Sequence, residues 1–161
     1  VSSSDLLLKV VGSRQGQVKG EVEDANHRNA IDISSWSWGM SSEQHRGAHG
    51  TAGTRVQTDS VVVRKSADSA TIPLMSAMSS NELLRSVEII VRKAGITQLD
   101  YYVIKLSDAH IVKFDTQFAT GSDLSICEQW TFSYREISVT YTQQGADGQR
   151  RNAMEFLYQN H

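Results

Sequence analysis

Apolar and polar residues alternate along most of this chain, and the alternation changes parity twice. In the stretch from Ala30 to Ser42, Ile31 and Ile33 hold one parity and Trp36, Trp38 and Met40 the other. Side chains of a strand alternate faces with period 2, so a change of parity means one extra residue or burial of both faces. The stretch reads as one core strand carrying all five apolar residues, with a β-bulge at Ser34 or Ser35. A bulge there bends the strand and helps a sheet close on itself. The second change lies near Arg135-Glu136. Even positions Leu124, Ile126, Trp130, Phe132 and Tyr134 give way to Ile137, Val139 and Tyr141, which predicts a second bulge.

Around these two stretches the pattern is mostly that of strands. Leu6 to Val11 is a short β-type run ending at Gly12. Ser13 to Asn29 is polar, broken by Gly16 and Gly20, and reads as a surface excursion with a short strand around Gln17–Glu21. Ser42 to Thr54 has three glycines and no large apolar residue, so it reads as an extended loop. Arg55 to Lys65 resumes strand character, with Val61-Val62-Val63 pointing to burial on both faces. One helix is predicted, from Ser69 to Ser79. Pro73 fits its first turn, Ser69 or Thr71 can cap it, and Ile72, Met75 and Met78 form a stripe expected to face the core.

Beyond the helix, Val87, Ile89 and Val91 mark a strand, and Leu99 to Phe114 a long one with Tyr102, Ile104 and Leu106 on one face. Asp115 to Asp123 reads as a loop. Asp147-Gly148 is a strong hairpin turn signal, pairing the strand that ends near Gln143 with Asn152 to Tyr158, where Met154, Phe156 and Tyr158 share a face. Many strands and one short helix predict a mainly β chain, a small antiparallel barrel or tight sandwich. A length of 161 residues with 39% apolar content fits a single domain over 1–161.

Charge and chemistry narrow the function more by exclusion than by assignment. The net charge of −2 creates no field for nucleic acid, and basic residues are scattered instead of interleaved with aromatics. Apolar runs such as Leu6-Leu7-Leu8 are too short for a membrane-spanning helix, so no membrane insertion is expected. The first residues, Val1 to Asp5, lack the basic segment and apolar core of a cleavable secretory signal. The single cysteine, Cys127, excludes an internal disulfide and suits folding in the cytoplasm. Its place in an alternating strand predicts a buried, inert thiol. His45 and His49 stand four apart, a spacing that would serve zinc on a helix, but they lie in a glycine-bearing loop without a third ligand at a telling distance. Neither a phosphate-binding glycine loop nor a nucleophile elbow is present. No residue is therefore assigned to catalysis, a cofactor or a metal.

The tryptophan stretch also carries a resemblance. The run Ile31-Asp32-Ile33-Ser34-Ser35-Trp36-Ser37-Trp38-Gly39-Met40-Ser41 resembles the signature of the hemolysin-coregulated protein (Hcp) family, the tube subunits of bacterial type VI secretion. Val18-Lys19-Gly20-Glu21, Val91-Arg92-Lys93-Ala94-Gly95 and Tyr141-Thr142-Gln143-Gln144 leading into Ala146-Asp147-Gly148 match in the same order. The resemblance implies a fold like that of phage tail tubes, an antiparallel β-barrel of two sheets with one short flanking helix. It implies a homo-hexamer whose rings stack into a hollow tube, inside a contractile sheath, on a baseplate and below a spike protein. Effector proteins would ride in the lumen. Such a subunit assembles in the bacterial cytoplasm and is then expelled from the cell.

The resemblance further implies that the loop after the tryptophan strand reaches the neighbouring ring, with Glu43, Gln44, His45, Arg46 and His49 as the stacking residues. Relatives are often richer in glycine at this loop and end in lysines, whereas this chain ends Leu157-Tyr158-Gln159-Asn160-His161. Some relatives carry a C-terminal toxin domain, and the chain is expected to have no room for one after its last strand. Two other classes make different demands. A monomeric small-molecule carrier needs an apolar chamber inside the barrel, and a zinc or hydrolytic enzyme needs His45 and His49 to converge with an acid.

Overall fold

A computed structural model of the chain describes residues 6–46, 52–93, 99–119, 125–145 and 150–160. Their order is β1 (Leu6–Gly12), β2 (Gly16–Gln17), β3 (Ile31–Asp32), β4 (Ser35–Ser37), β5 (Met40–Arg46), β6 (Ala52–Thr58), β7 (Val61–Ser66), α1 (Thr71–Ser79), β8 (Leu84–Lys93), β9 (Leu99–Ala119), β10 (Ser125–Gln144) and β11 (Arg150–Gln159). The protein is mainly β, antiparallel, with one short helix. Nine strands form one sheet in the order β2-β1-β8-β9-β10-β7-β4, with β3 on β1 and β11 on β10. The remaining pair, β5 and β6, forms a separate two-stranded sheet.

The two edges of the large sheet meet in the tryptophan stretch. Ile33 N–H donates to the Leu6 carbonyl of β1 at 3.3 Å, and the next residue, Ser34, donates its N–H to Arg64 of β7 at 2.8 Å. The Ser34 hydroxyl donates to that same carbonyl at 3.0 Å. One short segment thus bonds to β1 at its start and to β7 at its end. The predicted single strand with a bulge at Ser34 or Ser35 is in fact three strands on three different partners. Its parity changes because the chain leaves one edge and joins the other.

The second parity change has a related origin. β10 pairs with β7 from Cys127 to Phe132 and with β11 from Glu136 onward. Its partner β9 switches its inward side in the same place, at Asp108, whose φ is +50°. The irregularity in the β9–β10 register lies earlier, between Thr131 and Phe132.

Inside, Leu8, Val10, Ile31, Ile33, Val61, Val63, Leu84, Ile89, Ile104, Leu106, Trp130, Phe132 and Ile137 form one buried cluster. Trp36 and Trp38 are half-buried against it. Met40, expected in this core, is 47% exposed, because the chain has by then left the barrel for β5. The predicted surface excursion does more than run over the surface. Ala30 and Val22 pack with Leu7, Ile90 and Val103 on the outer face of β1, β8 and β9. This explains why Leu6-Leu7-Leu8 and Ile89-Ile90 are unbroken apolar runs: both faces are covered.

The helix shows its other side. Ala70, Leu74 and Ala77 face the core, while Ile72 is 67% and Met75 42% exposed. Both stripes have helical spacing, and α1 lies against β9 on the one with small side chains. The Met stripe is therefore not core packing, although Met78 is half-buried. The cap also differs. Asp68 Oδ1 accepts the N–H of Ala70 at 2.9 Å, and Thr71 Oγ1 accepts that of Asp68 at 3.0 Å.

Where α1 returns to the sheet, Glu82 secures the β1–β2 turn. Its Oε2 accepts the backbone N–H groups of Arg14 and Gln15 at 3.0 and 3.2 Å. Burial alone would raise this carboxyl, but the bonds from Gln15 and Arg14 hold it below the usual carboxylate range. A Cβ at Gly12 would collide with this carboxylate, so a larger residue there would displace Glu82 from the turn. The β10–β11 hairpin forms as expected, from Glu136↔Gln159 to Gln144↔Arg150, although the Asp147-Gly148 turn lies outside the described residues.

The two ends of the tryptophan stretch should respond differently to truncation. Ile31→Ala is expected to cost about 2–5 kcal/mol in urea unfolding, as a fully buried residue does. Met40→Ala should stay within about 0.5 kcal/mol, as surface substitutions do.

Candidate functional site

The region predicted as an extended loop is a hairpin arm. β5 and β6 pair without slip from Met40↔Thr58 to Arg46↔Ala52. Their sequence lacks a strand's usual apolar alternation because neither face has a core to cover. Ser41, Ser42, Glu43 and Gln44 of β5 are exposed, as are Arg55, Val56 and Gln57 of β6. Glu43, Gln44, His45 and Arg46 all lie on β5, and His49 lies outside the described residues. Residues opposite one another in an antiparallel pair share a face. Glu43 thus sits opposite Arg55, with Ser41 and Gln57 beside them, on a charged face. Met40, Ser42, Val56 and Thr58 share the other, more apolar face.

The base of the arm is fastened to the barrel by hydrogen bonds that sequence reading missed. Trp38 Nε1 donates to the Tyr134 hydroxyl at 2.7 Å, and that hydroxyl donates to the Asp59 carbonyl, also at 2.7 Å. Asp59 N–H donates to the Gly39 carbonyl at 2.9 Å, joining the two roots of the arm. Thr58 Oγ1 donates to Asn160 Oδ1 at 2.9 Å, and Asn160 Nδ2 donates to the Tyr134 carbonyl at 3.1 Å.

Two charged clusters were also missed. Lys65, with no exposed side-chain surface, lies directly opposite Glu128 in the β7–β10 ladder. Its ammonium contacts Glu128 Oε1 at 2.9 Å, Asp68 Oδ1 at 2.7 Å and the Ser66 carbonyl at 3.0 Å. Thr71 Oγ1 and Trp130 Nε1 donate to the Glu128 carboxylate at 2.7 and 2.9 Å. All three ammonium donors face acceptors, so this is a closed structural network tying α1 to the sheet. Parity held the signal: Lys65 shares its side with Val61 and Val63, and Glu128 with Trp130 and Phe132.

The second cluster pins the outer excursion to the sheet. His27 Nε2 meets Asp100 at 2.8 Å, and Arg92 Nη1 meets Asp24 Oδ2 at 2.9 Å. The Asn26 N–H and the Arg92 guanidinium hold the Asp24 carboxyl below its usual value.

Among the described residues, no group of three histidines, cysteines or acids could hold a metal ion. Cys127 is half-exposed instead of buried. It lines a cleft of about 450 Å³ with Arg64, Ser66, Thr116 and Gln129, because its odd parity turns it away from Glu128 and Trp130. No helix among the described residues is long and apolar enough to cross a membrane.

A mainly β chain with a filled barrel, one flanking helix among the described residues and a projecting arm is a fold shared with solved type VI secretion system proteins. One solved structure of a type six secretion system protein superposes with a TM-score of 0.82 at 20% identity, covering 96% of this chain and 95% of that one. A type VI secretion system effector from Yersinia pestis gives 0.74 at 22% identity, covering 97% and 100%. These likenesses show the fold. In sequence, the family model described as type VI secretion system effector, Hcp, matches residues 8–141. Protein hcp1 of Pseudomonas aeruginosa is 34% identical over 146 residues, 89% of this chain and 86% of that protein. The chain belongs to the Hcp family of type VI secretion proteins. It is a secreted structural tube protein, not an enzyme.

Two measurements check the clusters. Lys65→Ala should lower unfolding free energy by about 3–5 kcal/mol, since Glu128 would be left buried without its cation. Cys127 should react with a small thiol reagent in the native protein at a rate within about tenfold of the unfolded chain, as a half-exposed thiol does.

Proposed function

We propose that this chain forms hexameric rings that stack into the inner tube of a type VI secretion system, and that the β5–β6 arm joins one ring to the next. The tube is assembled in the cytoplasm inside a contractile sheath, on a baseplate and below a spike protein. It carries effector proteins in its lumen and is expelled from the cell. The observation that carries this reading is the arm itself, a two-stranded sheet whose described side chains are exposed on both faces. Such a hairpin is marginal alone and gains stability when a partner covers it. Head-to-tail contact between different surfaces of identical subunits closes into a ring when the rotation permits. The carrier alternative needs an apolar chamber, and the barrel interior is filled by Trp130, Phe132, Leu8, Ile89 and Leu106.

On this reading Glu43, Gln44, His45, Arg46 and His49 make polar contacts between rings. Each exposed ion pair contributes about 0–1 kcal/mol, so stacking works through repetition around the ring. Replacing Glu43–His49 with a two-residue turn should leave a species of about six times the monomer mass in sedimentation while abolishing tube growth and secretion. Dissociation to monomers would move the arm to the ring interface, and unimpaired tubes would refute the stacking role.

A further inference from the structure

The arm's contact residues say what it touches, whereas the direction in which it points is set at its root. Four segments distant in sequence meet there. Trp38 and Gly39 precede β5, Thr58 ends β6 and Asp59 follows it, Tyr134 and Arg135 lie where β10 changes parity, and Asn160 follows β11. The Tyr134 hydroxyl accepts from Trp38 on one side of the arm and donates to Asp59 on the other. Asn160 grips β10 twice, through its N–H to the Arg135 carbonyl at 2.8 Å and Nδ2 to the Tyr134 carbonyl, while its Oδ1 holds Thr58. Tyr134 is 8% exposed and packed in the core, so its hydroxyl is a fixed point.

From this geometry we propose that Tyr134 and Asn160 are positioning residues for ring stacking. Their part is to hold the arm at the one angle from which it meets a second copy of this chain. The inference rests on the stacking role of the arm. An arm whose strands are exposed on both faces and cover no core cannot hold an angle by packing, so directional bonds at its root must do so. The same bonds couple the end of β11 to the arm, because Asn160 is shared between them.

Tyr134→Phe keeps the ring in the core and removes only the hydroxyl. We expect it to fold, to sediment as the same ring, and to exchange the amides of Met40–Arg46 and Ala52–Thr58 about tenfold faster, because opening at the root becomes easier. Secretion into the medium should fall at least tenfold. Asn160→Ala and Thr58→Val each break the second tie and should behave alike, while Thr58→Ser, which keeps the hydroxyl, should match the unaltered protein. A role confined to barrel stability would not separate Thr58→Ser from Thr58→Val at equal melting temperature.

Normal secretion by Tyr134→Phe and Asn160→Ala with faster arm exchange would overturn the positioning role. So would loss of the ring in both. The arm-shortened variant separates the two ideas. If it secretes normally, the stacking reading itself fails; if it does not and Tyr134→Phe does, only the positioning role fails.

Discussion

Closure of the sheet at Ile33 and Ser34 is the constraint from which the rest follows. Two adjacent backbone N–H groups serve opposite edges, one on β1 and one on β7. A sheet edge with unpaired backbone groups invites association with other chains, and closure reduces that hazard at β1 and β7. Ile31 and Ile33 are buried in the core cluster, and Trp36 and Trp38 pack half-buried against it. The chain leaves the crossing at Gly39 with a fixed heading, and that heading becomes the arm.

The arm then reverses the logic of the barrel. All backbone pairing within it is satisfied on one side only, its side chains have no core, and its outer edges stay open. In an isolated soluble domain such a feature would be a liability. Under the proposed stacking role it is a connector, and weak polar contacts would suit an assembly that must form and come apart. Its charged face, with Glu43 opposite Arg55, favours register over strength.

The clusters around Lys65 and His27 are architectural. Lys65 and Glu128 face each other across the β7–β10 ladder and draw in Asp68, Thr71 and Trp130, so the only helix among the described residues is fixed to the sheet by charge as well as by Leu74 and Ala77. A network of this kind adds little net stability over an apolar core, but it admits one arrangement of helix on sheet. His27 and Asp24 do the same for the outer excursion with Asp100 and Arg92. Each cluster is accounted for by the segments it joins.

Period-2 alternation was legible in the sequence wherever a strand has a wet side and a dry side, as in β10, whereas the covered outer face left unbroken apolar runs in β1 and at Ile89-Ile90; the family was legible in the tryptophan run. Both parity changes were visible too, but not their meaning. A bulge and a change of partner shift the alternation identically, and only the pairing of Ile33 with β1 and Ser34 with β7 distinguishes them. The arm was read as a loop because a strand without a core leaves no apolar pattern. The helix offered two stripes of equal spacing, and the closeness of β9 selected the alanines over the methionines. Local sequence thus determined the strands that border the core and which residues can be buried. Long-range geometry decided which of them are buried, because Lys65 and Glu128, Trp38 and Tyr134, or Thr58 and Asn160 acquire their roles only when segments far apart in the chain are brought within hydrogen-bond reach.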